Sequence, residues 1–239
     1  MTLTIVRLYH DLLGTYGDQG NAEVLIHRAR ARGIDVELVE VSPHAPVPTH
    51  GNIYLLGGGE DGPQTAALEM LRADQGLNTA AARGATVFAV CAGFQLIGAT
   101  LPHADGSTIA GLELINVETV YDSSPRSVGE LVITRNDLVL TGFENHQGLT
   151  RLGSDVTALG TVISGVGNGI VTDNAKKTEG AQVGNIFGTY MHGPALARNP
   201  ELADEVLSSA AGELVAYDDY WASAFAAERR FTLTHLRRK

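Results

Sequence analysis

The chain has 239 residues, 44% of them hydrophobic and 18% charged, which is enough apolar material for one large α/β domain or two small ones. Its net charge of −10, from 27 acidic and 17 basic residues, excludes the clustered Lys and Arg that a nucleic-acid surface needs. The longest apolar runs are strand-sized, as at Val87-Phe88-Ala89-Val90, and none approaches the roughly 18 to 20 residues of a membrane span. The single cysteine, Cys91, rules out an internal disulfide, and the histidines and carboxylates show no ligand-like spacing. No metal and no cofactor is therefore expected. The opening stretch Thr2-Leu3-Thr4-Ile5-Val6-Arg7 lacks the pattern of a secretory signal, so a cytoplasmic protein is expected.

In chain order, apolar runs at Leu3–Tyr9, Ile34–Val41, Asn52–Leu56 and Ala85–Val90 read as strands. Helical patterns fall between them near Gln19–Arg32, Thr65–Ala73 and Leu77–Ala82, and another follows from Gly93 to Gly98. This alternation predicts a parallel sheet covered by helices on both faces. From Ile109 the texture changes to β-branched segments at Leu112–Val120, Val128–Thr134, Leu138–Thr141, Thr157–Ser164 and Gln182–Tyr190, which read as added antiparallel strands. Asn168-Gly169 reads as a tight hairpin turn, and the Gly165–Gly169 cluster lacks the Gly-Lys-Ser/Thr of a phosphate loop. A helix over Pro200–Ala211 closes a domain of residues 1–211. Residues 212–239 form a tail that reads equally as a partner-docking arm or as a surface helix on its own domain.

Chemistry concentrates at Val87-Phe88-Ala89-Val90-Cys91-Ala92-Gly93-Phe94-Gln95, where a buried strand runs into a helix. Such a sharp turn strains the nucleophile's backbone and needs small neighbours. A helix N-terminus also favours thiolate over thiol. A free cysteine is ordinarily just a small buried apolar residue, but this setting makes Cys91 a candidate nucleophile. Thiolate attack on a carboxamide needs a proton carrier, for which eight histidines compete. His192, at the end of Asn185-Ile186-Phe187-Gly188-Thr189-Tyr190-Met191, stands at a strand terminus, and His146 is its rival. Donors for the tetrahedral oxyanion would be the backbone N–H groups of Ala92 and of the Gly57-Gly58-Gly59 loop, with Gly59 the candidate.

Taken together, Cys-Ala-Gly-Phe-Gln after a strand, Gly57-Gly58-Gly59 upstream and Gly188-Thr189-Tyr190-Met191-His192-Gly193 downstream resemble class I, triad-type glutamine amidotransferases of the cobyric acid synthase-like branch. Tyr16-Gly17-Asp18-Gln19-Gly20-Asn21 and Gly142-Phe143-Glu144-Asn145-His146-Gln147-Gly148 extend the likeness to the GatD-type glutaminase subunits of lipid II isoglutaminyl synthases, over roughly residues 1 to 210. That resemblance implies a flavodoxin-like α/β domain that hydrolyses L-glutamine. It also implies an ATP-dependent, Mur ligase-like (MurT-like) synthetase partner that uses the ammonia to amidate the D-glutamate of the lipid II stem peptide. Under it Cys91 is the nucleophile, His192 the general base and then acid, and Arg126 the clamp for the glutamine α-carboxylate. A planar guanidinium suits that last task. Gln95 and Gly58 would line the same pocket.

Two departures stand out. Ala89 occupies a position where most triad enzymes have glycine, and one methyl group is expected to matter little. Pro194 stands where triad enzymes carry the glutamate that orients the histidine, so the resemblance implies an aspartate lent by the partner subunit. Two other readings stay open: a stand-alone cysteine hydrolase of γ-glutamyl or peptide bonds, and an inactive amidotransferase-like regulatory subunit.

Overall fold

In the computed structural model, which describes residues 2–103, 105–121, 123–170 and 176–235, Val87-Phe88-Ala89-Val90 lies fully buried at the centre of a six-stranded sheet. The first half alternates as expected: β1 (Thr2–Leu8), α1 (Gly20–Arg30), β2 (Asp35–Val41), β3 (Ile53–Leu56), α2 (Asp61–Asp74), α3 (Gly76–Ala82), β4 (Thr86–Val90) and α4 (Ala92–Ile97). The second half is mostly strand: β5 (Thr100–Pro102), β6 (Thr108–Ala110), β7 (Val117–Val120), β8 (Ser127–Arg135), β9 (Leu138–His146), β10 (Leu149–Leu152), β11 (Gly160–Ser164), β12 (Thr178–Glu179), β13 (Ala181–Val183) and β14 (Ile186–Thr189). Three helices end the chain: α5 (Ala195–Arg198), α6 (Pro200–Ala211) and α7 (Tyr220–His235).

The central sheet runs β13-β14-β4-β3-β1-β2, parallel throughout except for the antiparallel edge strand β13. Every residue of β3 and β4 is buried, as two-sided packing of a parallel sheet demands. Two smaller four-stranded sheets, β10-β7-β5-β6 and β12-β11-β8-β9, hold the second half. Because β14 joins the sheet beside β4, the residues that follow both strands emerge at the same carboxyl edge.

Several expectations need correction, each for a local reason. Of Leu112–Val120 only Val117–Val120 is strand. The N–H groups of Leu112, Glu113 and Leu114 instead donate to the carbonyls of Leu96, Gly98 and Ile97, satisfying the open C-terminal end of α4. The strand expected at Leu138–Thr141 continues to His146 because β8 pairs with it over nine positions. Gln182–Tyr190 is interrupted, turning at Gly184 between β13 and β14. Asn168-Gly169 lies in a tight turn closed by Gly169 N–H to the Val166 carbonyl, but not as a two-residue hairpin: Asn168 is buried, bonded through its amide to Gly180 N–H and C=O, and braces a longer connection from inside.

A buried ion cluster ties the far end of the chain to α1. Arg28, 5% exposed, donates to Asp204 through both Nε and Nη2 at 2.7 Å and to Asp219 at 2.8 Å, while Arg32 also reaches Asp204. The Tyr217 ring lies under both guanidinium groups.

Candidate active site

At the β4–α4 junction Cys91 has φ 53° and ψ −106°, a left-handed conformation that costs a non-glycine residue energy. The fold imposes it from three sides. Cys91 N–H donates to Thr189 of the neighbouring strand at 2.8 Å, Gln95 N–H caps back onto the Cys91 carbonyl, and Gly93 N–H donates to Gly57 of the glycine loop. A Cβ at Gly93 would lie 2.9 Å from the Leu56 carbonyl, so the elbow and the loop approach this closely only because Gly93 has none. Ala89 is fully buried in β4 between Leu56 and Gly188, and the register there is regular, so its methyl group is accommodated.

His192 follows β14 and is pinned by a pair of backbone hydrogen bonds to Phe143. Its ring is 1% exposed. The carboxylate that was expected from a partner is supplied by this chain: Asp18 sets its two oxygens 2.9 and 3.1 Å from Nδ1. Nε2 has no hydrogen-bond partner among the described residues, and Cys91 is close enough to influence the ring. Burial works against the imidazolium, but the hydrogen bonding to Asp18 and the negative charges of Asp18 and the nearby Cys91 outweigh it and push the His192 pKa up to about 9.

Asp18 has a second task. Its Oδ2 also accepts the Gly58 N–H at 2.8 Å, so one carboxylate braces both the histidine and the glycine loop. The surrounding motif explains how a residue 174 positions from His192 arrives there. Gly20 lets the Pro194 ring pack where a side chain would sit, with Pro194 Cγ only 2.5 Å from a Cβ built at that position. Asn21 accepts the Leu196 N–H at 3.0 Å, and the Tyr16 ring meets the His192 ring edge-on. Tyr16, Asp18, Gly20 and Asn21 of this short motif all touch the His192 loop. The proline that displaces the family's glutamate is thus itself part of the seat for Asp18.

Beside Cys91 opens a cavity of about 310 Å³, whose lining includes Gly59, Ala92, Gln64, Gln95, Arg126 and His146. Gly59 and Ala92, the expected oxyanion donors, both line the cavity with Cys91. Gly58, expected among the glutamine-binding residues, is a correction: its N–H is committed to Asp18, and it backs onto the His192 ring instead of lining the cavity. Gln95 lines the cavity, yet its amide is engaged, accepting from Gln64 at 2.8 Å and donating to the Tyr190 hydroxyl. Arg126 is exposed and gives its Nε and Nη2 to Asn145, so the other edge of the guanidinium is the one left for a ligand. Asn145 in turn donates to the Tyr16 hydroxyl, and its carbonyl lies 3.8 Å from Cys91 Sγ.

His146, the rival histidine, does not meet Cys91 in a hydrogen bond. It stacks on Tyr190, with ring centroids 3.8 Å apart, and its Nε2 contacts Glu144. Below it Glu179 is wholly buried, and that burial raises its pKa to about 7 despite hydrogen bonds from Tyr190 N–H and the Thr189 hydroxyl. Asp18, Tyr16 and Gln64 carried no role in the sequence reading. The signal for Asp18 was its place between glycines at the carboxyl end of a parallel strand, where α/β sheets hold their ligands.

A cysteine elbow at the end of a parallel strand, with a histidine rising from the next strand, is the architecture of class I glutamine amidotransferases. Among solved structures, a crystal structure described as a glutamine amidotransferase matches with a TM-score of 0.58, covering 86% of this chain and 98% of that one at 16% identity. The chain belongs to the CobB/CobQ-like glutamine amidotransferase domain family, whose model matches residues 4–200. It is similar to the GatD subunit of lipid II isoglutaminyl synthase (glutamine-hydrolyzing) from Streptococcus pneumoniae, with 35% identity over 95% of this chain and 90% of that one. The Staphylococcus aureus subunit of the same name is 34% identical over 87% of this chain and 84% of its own. Cobyric acid synthase from Mesorhizobium japonicum is 30% identical over 66% of this chain but only 32% of its own length. Among the described residues no helix is long and apolar enough to cross a membrane, and no cluster of three or more His, Cys, Asp or Glu could hold a metal ion.

Proposed function

We propose that this chain is the glutaminase subunit of a lipid II isoglutaminyl synthase, working in the cytoplasm. It releases ammonia from L-glutamine for an ATP-dependent, MurT-like partner that amidates the D-glutamate of the stem peptide. The observation that carries the glutaminase reading is the placement of His192 between Asp18 and Cys91, beside a cavity at the small end of ligand-pocket sizes. A pocket of that size suits one amino acid better than a peptide. The names of the two relatives matched along most of their length support the acceptor and the partner.

The chemistry follows from the geometry. With its pKa near 9, His192 holds a proton at neutral pH, and that positive charge favours the Cys91 thiolate. The thiolate adds to the carbonyl carbon of the glutamine side chain, and the oxyanion takes the N–H groups of Gly59 and Ala92. Collapse expels the nitrogen as ammonia, with the His192 proton delivered to it. His192, now neutral, takes a proton from the water that hydrolyses the γ-glutamyl thioester. Asp18 fixes the tautomer throughout by holding Nδ1–H. Arg126 receives the α-carboxylate.

The test uses the full chain with its synthetase partner and lipid II. Cys91→Ser is expected to abolish amidation from glutamine while amidation from ammonium salts continues. Loss of both activities in a complex that still assembles, or loss of neither, overturns the reading.

A further inference from the structure

His146 has a feature that the mechanism above leaves unused. Its side chain is 1% exposed, its ring lines the glutamine cavity, and its Nδ1 is buried without a hydrogen-bond partner among the described residues. A buried polar atom left unpaired is costly and calls for an occupant. The other ring nitrogen, Nε2, lies 3.3 Å from Glu144 Oε2. The oxygens of Glu144 also accept the N–H groups of Val166 at 2.8 Å and Gly167 at 2.9 Å, which makes it an acceptor. His146 therefore donates through Nε2, and Nδ1 keeps its lone pair. The ring cannot swing away, since it is stacked on Tyr190.

Resting on the glutaminase reading, we propose that His146 Nδ1 accepts a hydrogen bond from the α-ammonium group of bound L-glutamine and so selects for substrates that carry it. Elimination within the substrate points there. Glutamine has two kinds of donor, and the side-chain amide must lie over Cys91 with its nitrogen turned to His192, leaving the α-ammonium to be met elsewhere. The cavity brings the two receptors together, since Arg126 and His146 both line it. In the β8–β9 pair, His146 stands opposite Ser127, the residue after Arg126. The α-carboxylate and α-ammonium of an amino acid share one carbon, so their receptors must be neighbours, as Arg126 and His146 are. Rival acceptors are otherwise placed. Gln95 Oε1 is taken by Gln64, and Asp61 and Asp105 are exposed, with Asp105 already accepting the Ser107 N–H.

The test compares kcat/KM for L-glutamine with that for 4-carbamoylbutanoate, which is glutamine without its α-amino group, using the full-length chain. His146→Phe keeps the stack on Tyr190 and removes the acceptor. It is expected to lower the preference for L-glutamine at least tenfold, through a higher KM for L-glutamine. His146→Gln, which retains an acceptor, is expected to restore part of that preference and guards against a folding failure of the first variant. An unchanged preference in both variants, or its collapse in Asp61→Asn or Asp105→Asn instead, overturns the proposal. If the wild-type chain hydrolyses neither compound, it is the glutaminase reading that fails.

Discussion

Pro194 packs its ring directly over the backbone of Gly20, and this contact sets the loop after His192 on the start of α1. Asp18 precedes that helix by one turn of chain, so the same contact delivers its carboxylate to the imidazole. A position that in related enzymes carries the orienting acid has here become the anchor for an acid from elsewhere.

Asp18→Asn tests that arrangement. The amide keeps the size of the carboxylate but loses the charge and can present an N–H to Nδ1, favouring the wrong tautomer. A fall in kcat of about 10²- to 10⁴-fold is expected, with KM for glutamine changed far less. Steady-state kinetics within threefold of wild type would show that the acid comes from another molecule.

Gly58→Ala addresses the second task of Asp18. The new methyl group would lie 2.6 Å from His192 Cε1 and 3.2 Å from Asp18 Oδ2, both held by buried neighbours, so the ring or the loop must shift. A misplacement of about 1 Å can cost on the order of 100-fold in rate. Circular dichroism should match wild type while glutaminase activity falls at least tenfold; full activity would show that the loop has slack.

The proton on His192 links activity and stability to pH. Its folded pKa of about 9 lies above the usual 6.5, so its stabilising contribution is complete below about pH 6.5 and is lost as pH rises toward 9. Urea midpoints should fall between pH 6.5 and 9.5, and Asp18→Asn should flatten that slope. The rate should show an alkaline limb near pH 9, where the proton for ammonia is gone. A midpoint that rises over the same interval would contradict the assignment.

Arg28→Ala leaves Asp219 without its ion pair in a largely closed site and leaves Asp204 to Arg32 alone. Breaking a buried pair this way costs roughly 3 to 5 kcal/mol, and a chain of this size loses about 2 to 4 °C of Tm for each. A Tm lower by at least about 6 °C is expected by calorimetry, with the glutaminase rate at 20 °C retained.

Much of the architecture was legible because local and global signals agree. α6 starts at Pro200 and stops before Gly212, and β4 is buried at every position, apolar from Val87 to Val90, because both its faces are covered. Cys91 and His192 were readable for a related reason: each ends a strand, and adjacent parallel strands deliver their ends to one edge. Asp18 was not, because its meaning depends on where Pro194 lands, a contact that no periodicity encodes. Leu112–Ile115 looked like strand yet serves the end of α4, since hydrogen-bond demand at a helix terminus outweighed β-propensity. The commitment of Gly58 N–H to Asp18 was equally invisible, being a choice among three glycines that only the packed loop makes.

The strained elbow also carries a consequence for biosynthesis. Cys91 is held in its unusual conformation partly by Thr189, on a strand made long after the cysteine, and its histidine comes later still. Until β14 inserts beside β4, Cys91 lacks both the backbone bond to Thr189 and the histidine beside it. A growing chain is thereby kept from hydrolysing glutamine, and the moment at which an electrophile begins to label Cys91 rapidly marks completion of the sheet.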